Sequence, residues 1–164
     1  MKTERGAFRM LRHEQLLQEL VHDSYKSKHK LHESSRCPDC GAVYRDGRWT
    51  WGQAPEQAHI ERCPACHRIH DRFPAGYVTL RGTFFEEHRD EVLRRVRHCE
   101  ETEKAEHPLQ RIMAVEADGE GTLVTTTDTH LARRIGAALH DAYKGELEYR
   151  YNKQENLLRV AWSR

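Results

Sequence analysis

The chain has 164 residues, enough for one domain or two small ones, and only 37% of them are apolar. A mean hydropathy of −0.91 implies a large solvated surface, so part of the sequence is expected to be an arm or tail rather than core. The formal net charge of +1 selects no partner by itself, and no run of about eighteen apolar residues is present to span a membrane.

The charge is nevertheless polarised. Residues 1–36 carry eight Lys/Arg against five Asp/Glu, whereas residues 83–108 carry five against eight, so the positive end lies ahead of the cysteines. The opening MKTERGAFRMLRHEQLLQELVHD contains acids and no apolar h-region. It does not read as a secretory signal, and a cytoplasmic location is expected.

In chain order, Leu16, Leu17, Leu20 and Val21 predict an amphipathic helix over 7–23. SYKSKHKLHESSR has almost nothing to bury and reads as an exposed basic arm, so residues 1–36 are expected to be helix plus arm. In CPDCGAVYRDGRWTW, residues 43–45 and 48–51 are β-like runs around Asp46-Gly47, a strong two-residue hairpin signal. GQAPEQAHIER then reads as a loop to the second cysteine pair, which completes a ribbon over residues 37–75.

Beyond it, GYVTLR at 76–81 predicts a strand. Thr83 followed by Glu86 reads as a capping box for a helix over about 84–105, with Phe85, Val92, Val96 and Cys99 on its apolar face. RIMAVEA and TLVTTT flank Asp118-Gly119 as a second hairpin. A second helix is expected from Asp128, with Leu131, Ile135, Ala138, Leu139 and Ala142 on one face and a stop at Gly145. ELEYRY and LLRVAW alternate and predict a third hairpin around 152–156. The fold class is therefore α+β. Residues 76–164 are expected to form a ferredoxin-like β-α-β-β-α-β domain with an extra C-terminal strand and a four- or five-stranded sheet.

Cys37, Cys40, Cys63 and Cys66 give C-x2-C-x22-C-x2-C, the spacing of a tetrahedral zinc ribbon in which Zn2+ takes four thiolates at about 2.3 Å. Gly41 suits the turn after the first pair, because a residue there often needs positive φ, and His67 stands in the same place after the second. Four thiolates fill the shell and leave no position for water, so the zinc is expected to be structural, contributing on the order of 10 kcal/mol to folding. His67 and His70 read as surface histidines or as donors to the thiolates, the alternative being displacement of a cysteine ligand. Cys99 reads as a buried core thiol. There is no Gly-rich phosphate loop and no G-x-S-x-G, so no catalytic residue and no enzymatic activity are expected.

Three features suggest a nucleic-acid surface. One is the arm with Lys26, Lys28, Lys30 and Arg36. Another is the ribbon hairpin, where Arg45 and Arg48 interleave with Trp49 and Trp51, the combination that neutralises phosphate and stacks on exposed bases. The third is the second cysteine pair, with Arg62, Arg68, Arg72 and His70 around it. The competing readings are that Trp49 or Trp51 packs over the cysteine turns as ribbon core, and that the arm is a solvated tail.

CPACHRIHDRFPAGYVTLRG resembles the stretch of the NMD family in which a cysteine pair runs into a glycine-led strand ending in LRG. GTLVTTTDTHLARRIGAALHDAYKGELEYRYNKQENLLRVAWS is similar to that family's strand, helix and closing hairpin. The family comprises the eukaryotic large-ribosomal-subunit nuclear-export adaptor and its archaeal counterparts, and nearly the whole chain resembles small bacterial zinc-ribbon proteins grouped with it. The resemblance implies that Cys63 and Cys66 are zinc ligands, that Arg81-Gly82 ends a strand, and that the partner is the large subunit or rRNA. Its larger members have more cysteine pairs and a long extension with export signals, so docking on the ribosome or structured RNA is expected rather than export. Ribosome assembly, stability or stress response are the expected settings, with no small-molecule substrate. The alternative is a protein–protein adaptor or transcription-associated zinc ribbon that does not bind RNA.

Overall fold

The computed structural model of the chain describes residues 8–11, 25 and 30–164. It begins with a strand, not a helix. β1 (Arg9–Leu11) lies antiparallel to a strand near the far end of the chain, with Met10 opposite Arg150. The expected helix over 7–23 is thereby overturned at residues 8–11, and the rest of it lies outside the described residues, which resume at Tyr25 beyond its end. A three-residue strand at a sheet edge is set by its partner, which local periodicity does not report.

The ribbon follows. β2 (Ser35–Arg36), β3 (Val43–Arg45), β4 (Arg48–Thr50) and β5 (His59–Ile60) form a small sheet in the order β4-β3-β2-β5. Asp46 (φ 51°) and Gly47 (φ 80°) both adopt the left-handed conformation, as a two-residue turn between twisted strands requires, and this closes the expected hairpin. β5 falls in the stretch that reads as loop and pairs parallel to β2 through Ser35↔His59 and Arg36↔Ile60. A short helix, α1 (Pro64–Asp71), closes the ribbon, with Cys63 at its N-cap and Pro64 in its first turn.

The larger unit runs β6 (Gly76–Arg81), α2 (Thr83–Glu87), α3 (Arg89–Glu106), β7 (Ile112–Asp118), β8 (Gly121–Thr126), α4 (Thr129–Tyr143), β9 (Glu146–Asn152) and β10 (Leu157–Ser163). The single helix expected over 84–105 is broken at His88 (φ −119°, ψ 25°) into α2 and α3. The expected capping box is absent. Gly82 (φ 106°) is the N-cap and makes no side-chain cap bond, while Thr83 sits inside the helix. A Cβ at Gly82 would lie 2.4 Å from the Arg164 carbonyl oxygen, so close backbone contact with the C-terminal residue sets this helix start. Asp128 caps α4 as expected, its carboxylate accepting from the Leu131 N–H at 3.1 Å.

The six-stranded sheet has the order β1-β9-β10-β6-β8-β7. A ferredoxin-like sheet would place β9 beside β6. Here β10 occupies that place, parallel to β6, and pushes β9 outward, where β1 then caps it. The final hairpin thus adds two strands in reversed lateral order. LLRVAW is the more apolar of its two strands, which fits the interior position: Leu157, Leu158, Val160 and Trp162 are all buried.

Alternation along β6 and β10 sends Val78, Leu80, Val160 and Trp162 into one core with Phe85, Val92 and Val96 of the first helices and Leu131, Ile135 and Leu139 of α4. Of the residues expected on the helix faces, Cys99 and Ala138 are half-buried and Ala142 is exposed. Gly76 lets α4 approach the sheet, since a Cβ there would lie 2.5 Å from that of Ala132. No helix among the described residues is long and apolar enough to cross a membrane.

Candidate metal centre

Each cysteine pair is set by a different local device. After Cys37 and Cys40 the chain turns back at Gly41 (φ 79°), whose N–H donates to the Cys37 carbonyl at 3.0 Å. After Cys63 it enters α1, so Cys66 and His67 are helical and His67 needs no left-handed conformation. The helix start also aims the Cys66 N–H at Cys63 Sγ (3.4 Å), and the Cys63 N–H donates to Cys37 Sγ at 3.3 Å.

These devices bring the four Sγ atoms within 4.8 Å of one another, and no disulfide links them. Four thiolates around a tetrahedral ion with bonds of about 2.3 Å would lie roughly 3.8 Å apart. Cys40 and Cys63 Sγ are 3.8 Å apart. The donor set therefore fits a metal ion that favours sulfur in a closed tetrahedral shell. Its electrostatics agree. Hydrogen bonding from Cys63 pulls the Cys40 thiol down to about 5, while that same bond together with burial pushes Cys63 far above the ordinary thiol range. Four sulfurs this close cannot all be charged without a cation among them.

One partner of the centre comes from outside the ribbon. Arg111, just ahead of β7, is only 8% exposed, and its Nη2 donates to Cys63 Sγ at 3.3 Å and to Cys66 Sγ at 3.2 Å. Burial works against the guanidinium charge, but the Cys66 hydrogen bond and the sulfur charges more than restore it, so its pKa lies above the ordinary value. Burial likewise raises Cys66, to about 11, against the opposing pull of Arg111. Sequence reasoning missed Arg111. It lies 45 residues beyond Cys66 and reads as the first residue of a strand.

His67 and His70 stand outside the thiol cluster. His67 is half-buried near the Tyr25 ring, and His70 is exposed with Nδ1 3.1 Å from the Asp71 carboxylate. Cys99 is half-buried on α3, and burial pushes its thiol up to about 11.

The residues read as an RNA surface separate into groups. Lys26 and Lys28 lie outside the described residues. Lys30, Arg36, Arg45, Arg48 and Arg72 are exposed. Arg62 forms a 2.6 Å ion pair with Asp39 that bridges the two cysteine turns. Trp51 is 38% exposed, and its indole N–H donates to the Lys104 carbonyl at the end of α3 (2.7 Å). Two of them are internal. Trp49 is 8% exposed and packs edge-on against Tyr44 in the ribbon core, so it presents no face to a base. Arg68 is 1% exposed, donates to the Phe73 carbonyl at 3.0 Å and lies over the Tyr25 ring at 4.5 Å. A guanidinium engaged in this way does not reach phosphate.

Between the ribbon hairpin and the loop from α3 to β7 lies a cleft of about 480 Å³, walled by Tyr44, Arg48 and Trp49 on one side and Glu106, Pro108 and Gln110 on the other. Comparison with protein-family models, with curated proteins and with solved structures finds no match to the chain.

Proposed function

We propose that the four cysteines hold a structural Zn2+ ion and that the ribbon so formed docks on structured RNA of the large ribosomal subunit without catalysing a reaction. The metal reading rests on the all-sulfur donor set, four Sγ within 4.8 Å of one another with one pair at 3.8 Å, which suits Zn2+ with no ligand position left for water or substrate.

The RNA reading is carried by the ribbon hairpin. Arg45 and Arg48 are directly opposite each other on β3 and β4, and both are exposed. Like charges opposed across two strands cost stability, so such a pair favours an anionic partner. Exposed Lys30, Arg36 and Arg72 add cations on the same small unit. The family resemblance makes rRNA the favoured anion.

Sedimentation of tagged protein in lysate at low and high salt tests this reading. It is expected in large-subunit fractions at low salt and to leave them as salt rises. With an isolated rRNA fragment, replacing both arginines (R45A/R48A) removes two phosphate contacts and flattens the slope of log K against log salt by about 1.4 to 1.8. Absence from every ribosomal fraction together with an unchanged slope would replace this reading with the protein adaptor.

A further inference from the structure

Arg111 ties the metal centre to the six-stranded sheet. Its backbone is fixed on the sheet side: its N–H donates to Thr127 Oγ1 (3.0 Å), and its carbonyl accepts from the Thr127 N–H (2.9 Å). Thr127 Oγ1 also donates to the Leu109 carbonyl at 2.6 Å, so the whole approach to β7 is pinned. Its guanidinium is fixed on the ribbon side by Cys63 and Cys66. Among the described residues no carboxylate forms an ion pair with it, and its Nε has no hydrogen-bond partner. A buried guanidinium is costly unless an anion accepts from it, and here the acceptors are the sulfurs.

Other contacts between the two units flank this one. Leu109 packs against the ribbon cluster, Trp51 donates to the Lys104 carbonyl, and the 480 Å³ cleft lies between them. The covalent link from α1 to β6, residues 72–75, is held at both ends: Phe73 exchanges bonds with Arg68 on the ribbon side, and Ala75 pairs with Thr126 and Leu158 on the sheet side.

We infer that Arg111 is a positioning residue through which metal loading controls the docking of the ribbon on the sheet. This rests on the four thiols being metal ligands. The start of α1 sets the spacing of Cys63 and Cys66 Sγ at which one Nη2 donates to both, and the ion ties that turn to Cys37 and Cys40. When the ion leaves, the small ribbon core does not hold α1 in place, and the two acceptors leave the guanidinium together. Because Thr127 holds the Arg111 backbone, the ribbon is the part that moves. The cleft walled by both units then opens with it. In the other direction, two N–H···S bonds withdraw charge from the sulfurs and hold their geometry, so Arg111 slows metal loss.

The test uses the full chain loaded with Zn2+ and, separately, with Co2+, as wild type, R111M and R111K. Zinc transfer to a chromogenic chelator is expected to be 10- to 100-fold faster in R111M, the range found when partners of metal ligands are removed. R111K is expected to fall between the two. The cobalt–thiolate charge-transfer band should move to lower energy in R111M, a shift that a purely structural role would not produce. Hydrogen exchange over the ribbon segments 43–50 and 64–72 should rise in metal-stripped wild type and in loaded R111M, while residues 104–111, held by Thr127, and β6 and β10 stay protected. Stripped wild type that keeps residues 43–50 and 64–72 protected would overturn the coupling whether or not R111M folds, as would R111M with wild-type release rate and band position. A wild-type chain that binds neither Zn2+ nor Co2+ would overturn the metal reading itself.

Discussion

Among the described residues, the core beneath the six-stranded sheet gathers sixteen buried residues, including Phe85, Leu131, Ile135, Leu139, Tyr149, Tyr151 and Trp162, whereas the ribbon's buried cluster has six members, three of them cysteines. The first is held by apolar surface removed from water, at about 25 cal/mol per Å². In the second, the cluster's one large buried apolar side chain is Trp49, and its remaining buried members are alanines and cysteines. A unit this small needs a staple, and its sulfurs supply the place for one. One chain thus contains two units that fold by different means, and each should fail under conditions that spare the other.

The largest effect expected is on the ribbon. Cys37→Ser, or chelation of the wild type, removes a contribution on the order of 10 kcal/mol and should abolish ribbon structure. Circular dichroism and tryptophan emission should change while the sheet keeps a cooperative thermal transition. A ribbon that stays folded after metal removal would erase the distinction.

Trp162→Ala is the reciprocal break. Trp162 is 1% exposed and its indole N–H donates to the Lys144 carbonyl, so about 3–5 kcal/mol should be lost from the sheet. Denaturant midpoints report this loss, and metal stoichiometry under native conditions should be unchanged.

Gly76→Ala sharpens the comparison at the point where α4 meets the sheet. The added Cβ would fall 2.4 Å from Thr126 Oγ1 and 2.5 Å from Ala132 Cβ, so about 1–3 kcal/mol of overpacking is expected in urea melts. The smallest effect is at the α4 cap, where Asp128→Ala should cost about 1 kcal/mol in the same assay and leave zinc release unaltered.

Features fixed by adjacent residues were legible in the sequence. Asp46-Gly47 needs positive φ at both positions, and this marks the hairpin without knowledge of anything distant. The alternating GYVTLR yields β6 over the residues expected, and the cysteine spacing yields the thiol cluster. Features decided between distant segments were not legible. Residues 9–11 become a strand because β9 offers an edge, while the leucines that follow them signal a helix. Thr83 and Glu86 carry the letters of a capping box, but the packing of Gly82 against Arg164 starts the helix one residue earlier. β9 and β10 pair with each other in either lateral order, so their local alternation does not say which of them reaches β6. Arg111 carried no motif at all, and Arg68 read as a binding residue because letters report charge but not burial; for Trp49 the sequence left binding and ribbon core both open, and its burial favours the core.

The parallel pairing of β10 with β6 has a kinetic consequence. It joins residues 76–81 to residues 158–163 at the middle of the sheet, so the innermost ladder is also one of the least local. Loop-closure entropy must be met before that ladder forms, which predicts a folding rate toward the slow end for a mixed α/β domain. During synthesis β6 can pair with β8 as soon as residue 126 is available, leaving its other edge open until residues 157–163 have been made. An open apolar strand edge is a template for wrong partners. The interval between those two events is when this chain is most exposed to misassembly.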